Sequence, residues 1–274
     1  MPGRSLFDIR VEKQVKMALT DMILSPYAAA KDVAQSMNPV MLAALVAVVV
    51  VVNVVAAKSW QARRSRLEYS PLLSLSASSS VALITASVRT SNNGDGLASW
   101  LMSRFNTVSK SDTKLVLASK LLDLPLPYGP VADPVIAAAI GSPQEYADPA
   151  VQGWSRAISA TPAIVILTPQ YNWGYPGQLK NLLDHLYTEW KGKPVVLVTY
   201  GGHGGSKCAE QLQVVLSGGL HMNVVAQVGI TLPMEFIRNT DRVEGTDAPS
   251  FLTEYEAQVD DAFAQLLKAI HKDN

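Results

Sequence analysis

Five short apolar segments, separated by segments of helical character, constrain the fold of this 274-residue chain more than any other feature. Each is rich in Val, Ile and Leu and only five or six residues long, which is typical of strands. Strands that are apolar along their whole length indicate a parallel sheet covered by helices on both faces. The predicted strands are Val81–Thr85, Lys114–Ala118, Ala163–Leu167, Pro194–Thr199 and Asn223–Val228.

The segments between and after these strands predict helices. The strongest helical pattern runs from Pro176 to Trp190, where leucines recur at helical spacing between Leu179 and Leu186. Pro176 suits the first turn, where a missing N–H is tolerated. The fold class is therefore α/β, with a doubly wound five-stranded parallel sheet. The predicted helices are Leu97–Phe105, Pro149–Ser159, Pro176–Trp190, Ser206–Leu216 and Phe251–Ile270.

The overall composition excludes several classes of protein. Its 23 basic and 23 acidic residues balance, so no global field favours nucleic acid. The single cysteine, Cys208, cannot form an intramolecular disulfide framework and fits a reducing compartment. The four histidines are scattered, and no C-x-x-C pair suggests a structural metal. We therefore expect no nucleic-acid partner and no bound metal.

Residues 39–57 form an apolar run in which the only polar side chain is Asn53. A membrane-spanning helix needs roughly 20 apolar residues, with about 17 as the lower limit. Strands rarely exceed about 10 residues, so the length favours a helix. We predict a transmembrane helix over residues 39–57, preceded by an N-terminal tail at residues 1–38.

Four basic residues lie between Lys58 and Arg66, directly after this run. Positive charge favours the cytoplasmic side, which predicts a membrane anchor with the domain of residues 80–274 facing the cytosol. Residues 58–79 are predicted to be a Ser-rich linker. The alternatives are a buried or disordered extension or an erroneous gene start, with a soluble cytosolic or mitochondrial domain.

In doubly wound sheets, ligands bind beyond the carboxyl ends of the strands, near the point where the strand order reverses. The loop Thr85–Gly96 follows the first strand and opens a helix, whose free N–H groups favour an anion. This loop predicts a phosphate site, although a polar turn with a solvated arginine is the alternative. The Gly94-x-Gly96 pattern lacks the third glycine of a dinucleotide fingerprint. The candidate ligands are Ser87, Arg89, Ser91, Asn92 and Asn93.

The loop after the third strand combines amide and aromatic side chains. Amides donate and accept hydrogen bonds, and aromatic rings offer flat apolar faces, so the loop suits a planar heterocycle. Aromatic packing or a subunit interface is the alternative, and Trp173, Tyr175, Tyr187 and Trp190 are candidates for exposed interface residues. The candidate ring contacts are Pro169, Gln170, Tyr171, Asn172 and Trp173.

The loop after the fourth strand has four glycines in five positions, which permits close approach of the backbone to a ligand. No G-x-S-x-G nucleophile motif is present, which argues against an α/β-hydrolase. His203 is either a ligand contact or an ordinary loop residue, and Cys208 is expected to be a buried, inert thiol. The candidate contacts are Gly201, Gly202, His203, Gly204 and Gly205.

These three loops, in this order and spacing, resemble those of the NADPH-dependent FMN reductase family, whose fold is flavodoxin-like. The likeness covers residues 80 to about 235 and is most specific in "PQYNWGYPGQLKNLLDHLYTEWKGKPVVLVTYGGHGG". Gln170 stands where the family has an acidic residue, which removes a charge near the flavin edge. Ala86 stands where the family's phosphate loop begins with glycine, so the turn there must tolerate a Cβ.

The resemblance implies an FMN-dependent enzyme that transfers hydride from NADPH or NADH to flavin, quinone or a similar acceptor. By this reading Ser87, Arg89, Asn92 and Asn93 hold the FMN phosphate, and the other two loops contact the ring. No catalytic side chain is required, because the cofactor carries the chemistry. A homodimer or tetramer is implied as well. The alternatives are a flavodoxin-type electron carrier and a non-catalytic, flavin-binding redox sensor.

Overall fold

The computed structural model of the chain describes residues 80–110, 113–120, 126, 134–244 and 248–272. Five strands form one sheet, in which every neighbouring pair is parallel. The order across the sheet is β2-β1-β3-β4-β5, which is the flavodoxin-like order. The predicted fold class is therefore confirmed. The strands are β1 (Ser80–Thr85), β2 (Lys114–Lys120), β3 (Ile164–Pro169), β4 (Pro194–Gly201) and β5 (Asn223–Thr231).

Helices connect the strands and cover both faces of the sheet. Short 3-10 helices lie at Pro143–Glu145, Thr188–Trp190 and Ser250–Tyr255, and a π-helix spans Val214–Gly219. The α-helices in the described residues are α1 (Gly94–Val108), α2 (Pro134–Ala139), α3 (Pro149–Ala160), α4 (Gly177–Asp184), α5 (Ser206–Gln213), α6 (Met234–Arg238) and α7 (Glu256–Lys272).

The core consists of two apolar layers, one on each face of the sheet. Successive residues of a strand point to opposite faces, so Val165 joins one layer and Ile166 the other. The Val165 layer packs against α1 and α7, and the Ile166 layer packs against α3, α4 and α5. Because both faces are covered, strands β1 and β3 are buried at every position. This explains why their sequences are apolar without alternation.

One predicted helix is interrupted. The pattern predicted a helix from Pro176 to Trp190, but α4 ends at Asp184 and only a 3-10 turn follows. Because the chain turns after Asp184, Trp190 lies in the core. Its ring packs edge-on against Trp154, and its Nε1 donates to the Leu183 carbonyl oxygen at 2.9 Å. The expectation that Trp190 is an exposed interface residue is therefore wrong.

Other differences lie mostly at element ends. The predicted helix at Ser206–Leu216 is α-helical only to Gln213, and the π-helix then ends in two glycines, which have low helix propensity. Strands β3, β4 and β5 extend two or three residues beyond their predicted ends, because sheet pairing continues there. Helices α2 and α6 are too short to give a periodic signal.

The predicted N-terminal tail, transmembrane helix and linker, residues 1–38, 39–57 and 58–79, lie outside the described residues. Among the residues that are described, no helix has the length and apolar character that a membrane span requires.

Candidate functional site

The loops after β1, β3 and β4 converge on one cavity of about 450 Å³ at the carboxyl edge of the sheet. This volume is in the range of small-molecule sites. The cavity lies where the strand order reverses between β1 and β3. Eleven of the predicted site residues line it: Ser87, Arg89, Ser91, Asn92, Asn93, Pro169, Gln170, Tyr171, Asn172, Gly201 and Gly202.

Arg89 and Tyr171 join the first two loops of the cavity. The Arg89 guanidinium carbon lies 4.7 Å from the centre of the Tyr171 ring, in a cation–π arrangement. The Tyr171 hydroxyl is 3.2 Å from the hydroxyl of Ser87, which is itself nearly buried. These contacts place a guanidinium and two hydroxyl groups at one end of the cavity, which is a suitable set of donors for a phosphate.

The two adjacent asparagines of the first loop use their side-chain amides to form hydrogen bonds with backbone groups. Asn92 donates to the Arg89 carbonyl oxygen at 2.9 Å and accepts from the Asp95 N–H at 3.1 Å. Asn93 donates to the Phe236 carbonyl oxygen at 2.9 Å and accepts from the Val243 N–H at 3.0 Å. Asn93 therefore ties the segment after β5 to the start of α1, and this segment forms the far wall of the cavity.

Ala86, where the resemblance implies glycine, is compatible with its position. It is fully buried in the layer against α3, α4 and α5, and its N–H donates to the Leu167 carbonyl oxygen at 2.8 Å. Ala86 is not among the residues with positive φ, so its Cβ introduces no backbone strain there.

The second loop contains a tight turn with an unusual backbone. Tyr171 and Gly174 exchange N–H to carbonyl hydrogen bonds of 2.8 and 2.9 Å. The two residues between them, Asn172 and Trp173, have φ values of 47° and 69°. This is a type I′ arrangement, which asparagine tolerates well and tryptophan does not. Trp173 lies outside the cavity lining, with 70% of its surface exposed.

Gln170 connects the second loop to helix α5. Its Oε1 accepts hydrogen bonds from the N–H groups of Lys207 and Cys208, at 3.0 and 3.2 Å. These two donors belong to the first turn of α5, so Gln170 satisfies helix N–H groups that lack a partner within the helix. The two N–H donors also determine the orientation of the Gln170 side-chain amide, because only the amide oxygen can accept their hydrogen bonds. The acidic residue that the family has here could accept the same two bonds.

The glycine-rich loop contributes only its first part to the cavity. Gly201 and Gly202 line it, whereas His203, Gly204 and Gly205 do not. Gly205 has a φ of 72°, and a methyl group there would lie 2.8 Å from the Thr199 Cβ. The loop turns sharply back towards β4, where the Thr199 hydroxyl donates to the Gly204 carbonyl oxygen at 2.7 Å. Gly204 and Gly205 are therefore needed for the turn rather than for the cavity, and His203 is exposed to solvent.

Several lining residues were not among the predicted site residues. Tyr200 belongs to β4, and its hydroxyl lies close to Gly94 at the start of α1. The apolar wall and a second arginine come from the segment after β5, which carries no recognisable motif. The one sequence signal for this segment is its position after β5. In a parallel sheet the carboxyl end of β5 lies at the same edge as the other loops of the cavity. The additional lining residues are Val88, Tyr200, Leu232, Phe236, Ile237 and Arg242.

The cavity is lined by basic and neutral groups. Among the described residues that line it there is no aspartate or glutamate, whereas Arg89 and Arg242 are present. Burial raises the pKa of the Tyr200 hydroxyl well above its usual range, so this group remains a neutral donor at physiological pH. Burial likewise raises the pKa of the Cys208 thiol to about 12, in agreement with the expected inert thiol. In the described part of the chain, no cluster of three or more His, Cys, Asp or Glu side chains could hold a metal.

Comparisons with known proteins agree with this geometry. Residues 79–235 match the family described as NADPH-dependent FMN reductase. A NAD(P)H-dependent FMN reductase of Saccharomyces cerevisiae is 45% identical over 156 residues, which cover 56% of this chain and 81% of the relative. One from Schizosaccharomyces pombe is 42% identical over 122 residues, covering 44% and 58%. One from a Nectria species is 32% identical over 164 residues, covering 59% and 77%. The predicted family is confirmed, and the chain belongs to the NADPH-dependent FMN reductase family.

Proposed function

We propose that this protein is an FMN-dependent oxidoreductase that takes hydride from NADPH or NADH and reduces a flavin, a quinone or a similar small acceptor. Membership of the NADPH-dependent FMN reductase family supports both the cofactor and the reductant. The observation that carries the proposal is the cavity at the reversal of strand order, which has Arg89 and Ser87 at one end and no carboxylate among its described lining residues. This is where flavodoxin-like folds bind FMN.

The donors at the Ser87 end fit a phosphate. Arg89 provides a permanent charge, and the Ser87 hydroxyl and the backbone N–H groups of the loop that opens α1 provide neutral donors. Stacking of Arg89 on Tyr171 restricts the guanidinium before any ligand arrives, which reduces the entropy lost on binding. Asn92 and Asn93 support this site by holding the loop rather than by contacting the phosphate with their side chains.

The remaining lining residues fit a planar ring. Pro169, Gln170 and Tyr171 line the cavity from the second loop, Gly201 and Gly202 line it from the glycine-rich loop, and the segment after β5 adds apolar side chains. Exclusion of water by these apolar groups strengthens the hydrogen bonds made inside the cavity. Bound FMN would supply the hydride chemistry itself, and the chain would bind and orient the reactants. The neutral Tyr200 hydroxyl is available as a donor and is not a base.

The test is the visible absorption spectrum of the full-length protein after reconstitution with FMN, before and after anaerobic addition of NADPH. We expect a flavin spectrum that bleaches when NADPH is added and recovers when a quinone is added. A protein that cannot be loaded with FMN would contradict the proposal at its first step.

A second function within the same fold is an electron carrier or a redox sensor, which would hold FMN without turnover. The described residues that line the cavity include no acidic side chain, which argues against docking of a basic redox partner at this edge. Steady-state oxidation of NADPH distinguishes the two, because a carrier or sensor would bind flavin and consume NADPH very slowly. Partner binding that depends on flavin, without turnover, would favour the sensor.

We further propose that the protein forms a homodimer or tetramer through the surface that carries Trp173. This residue and Val214 are 70% and 71% exposed, and Gln211 holds the Trp173 carbonyl oxygen against α5 at 3.1 Å. A large ring presented at the tip of a strained turn is an unfavourable arrangement unless it contacts something. We expect light scattering to give an oligomeric mass for the wild type and a smaller mass for Trp173→Ala. A monomeric wild type would contradict the proposal.

The membrane tether at residues 39–57 also remains a proposal, supported by the apolar run and the basic residues that follow it. Flotation with lipid vesicles tests it on the full chain and on a chain lacking residues 39–57. We expect only the full chain to float, and a full chain that stays with the soluble fraction would contradict the tether.

A further inference from the structure

The cavity contains two arginines, and the proposed function uses only one of them. Arg242 lines the cavity from the segment after β5, which carries none of the three predicted motifs. Neither Arg89 nor Arg242 forms an ion pair with any carboxylate of the described residues, although Arg104, Lys180 and Lys207 all do. Two positive charges thus face a concave site in which none of the described lining residues is acidic.

The guanidinium of Arg242 is held in place by its own loop. One nitrogen, Nη1, donates to the carbonyl oxygens of Asn239 and Asp241 at 2.9 and 2.5 Å. A guanidinium has five N–H donors, and these two bonds leave Nε and Nη2 to serve another acceptor. No other acceptor for Arg242 occurs in the described part of the chain. The loop therefore orients an arginine whose remaining donors are available to a ligand in the cavity.

The loop of Arg242 is fixed close to the start of α1. Asn93 bonds to Phe236 and Val243, on either side of Arg242, and Val243 is almost completely buried. A methyl group at Gly96 would lie only 2.0 Å from the Val243 carbonyl oxygen, so α1 and this loop are in direct backbone contact. Arg242 consequently sits beside the helix start and the loop that the proposed function assigns to phosphate.

From this placement we propose that Arg242 is a second cation for the phosphate monoester of FMN, acting together with Arg89. A phosphate monoester carries a charge of about −1.5 to −2 near pH 7, and two guanidinium groups balance it where one does not. The inference rests on the proposed function, because it takes FMN to be the ligand. NADPH carries the same monoester chemistry in its 2′-phosphate, so the experiment must separate the two sources.

The experiment compares the dissociation constants of FMN and riboflavin for the full-length protein, measured by quenching of flavin fluorescence. Riboflavin has the same ring and lacks the phosphate. Arg242→Gln should weaken FMN binding by about tenfold or more, which corresponds to one lost charge-assisted hydrogen bond. Riboflavin binding should be unchanged. Arg242→Lys, which keeps the charge, should recover part of the affinity for FMN.

The matched control is Arg238→Gln. Arg238 lies in the same segment, is exposed and is not among the residues that line the cavity. We expect it to leave the affinities for both flavins at the wild-type values.

Three results would overturn the assignment. Equal weakening of FMN and riboflavin would mean that Arg242 only maintains the wall. Unchanged FMN affinity with a Michaelis constant that rises for NADPH and not for NADH would assign Arg242 to the 2′-phosphate. Unchanged FMN affinity and unchanged kinetics would leave Arg242 with no ligand role. A wild-type protein that binds neither flavin is a different result, because it refutes the proposed function itself and this inference with it.

Discussion

The two edges of the sheet differ in how their polar groups are satisfied. At the carboxyl edge, the charged groups Arg89 and Arg242 have no carboxylate partner among the described residues. At the amino edge, Glu189 accepts hydrogen bonds from the hydroxyl groups of Tyr146 and Ser155, at 3.0 and 2.5 Å. Both hydroxyl-bearing residues are buried.

A second network at the amino edge joins three connections between elements. The Lys193 Nζ donates to the Thr161 carbonyl oxygen at 2.6 Å, and the Thr161 hydroxyl donates to the Ser80 carbonyl oxygen at 2.7 Å. Here the polar groups bind each other and connect the starts of β1, β3 and β4. The difference concerns charge: the charged side chains at the amino edge bond to other groups of the chain, whereas the two arginines of the cavity have no carboxylate partner among the described residues. Substitutions at the two edges should therefore change different measured quantities.

The largest effect should come from charge reversal in the cavity. We expect Arg89→Glu to weaken FMN binding by about 100-fold, because it removes a charge-assisted bond and adds repulsion towards the phosphate. The free energy of unfolding of the apoprotein should hardly change. Fluorescence titration and urea denaturation measure the two quantities. Arg156→Glu, an exposed residue of α3, is the control for charge reversal alone. Unchanged FMN affinity in Arg89→Glu would remove Arg89 from the site.

The next effect should appear at the amino edge, in stability alone. Glu189→Ala leaves the buried hydroxyls of Tyr146 and Ser155 without their acceptor, and should lower the free energy of unfolding by about 2 to 3 kcal/mol. FMN affinity should stay within about twofold of the wild type, which is under 0.5 kcal/mol. Glu210→Ala removes an exposed carboxylate of α5 and provides the control. If Glu189→Ala reduced FMN affinity strongly at unchanged stability, the division between the two edges would be wrong.

A smaller effect should depend on pH. Burial lowers the pKa of Lys193 to about 8, whereas an unfolded lysine keeps a value of 10.5. Between these values the unfolded chain binds more protons, so Lys193 makes the free energy of unfolding rise with pH from about 8. Burial also raises the pKa of Tyr146, which lowers stability above about pH 10, where an unfolded tyrosine ionises.

We therefore compare urea denaturation of the wild type and Lys193→Met between pH 7 and about 10. The stability of the wild type relative to Lys193→Met should increase steadily as the pH rises above about 8, because deprotonation relieves the buried charge only in the wild type. The exposed Lys191→Met is the control and should run parallel to the wild type. A constant difference between wild type and Lys193→Met would mean that Lys193 does not titrate in this range.

The smallest effect should come from Gln170→Glu. The new carboxylate can accept from the same N–H groups of Lys207 and Cys208, and the start of a helix favours negative charge. Stability should therefore be equal or higher. A charge beside the flavin should make the FMN midpoint potential more negative by roughly 20 mV, which corresponds to about 1 kcal/mol for two electrons. Gln178→Glu places a carboxylate in the first turn of α4, away from the cavity, and should leave the potential unchanged.

The strand pattern predicted most of the fold because the information it uses is local. Buried strands such as β1 and β3 are apolar at every position, and helices such as α3 and α7 repeat their buried residues at a regular spacing. The pattern failed where tertiary contacts outweigh local propensity. The helix predicted up to Trp190 stops at Asp184, because packing of the indole against Trp154 requires the chain to turn.

The cavity likewise depends partly on local sequence patterns and partly on tertiary contacts. Sequence alone determined the parallel α/β class, and with it the edge of the sheet where a ligand site should lie; eleven candidate residues from three loops do line the cavity. Only the tertiary structure brought Phe236 and Arg242 into the same cavity, through Asn93 hydrogen bonds that span 143 and 150 residues of sequence. Only the tertiary structure turned His203 and Gly205 away from the cavity and gave Gln170 its place at the start of α5. Periodicity reports which face of one element is buried, whereas contacts between distant loops depend on how the packed elements bring them together.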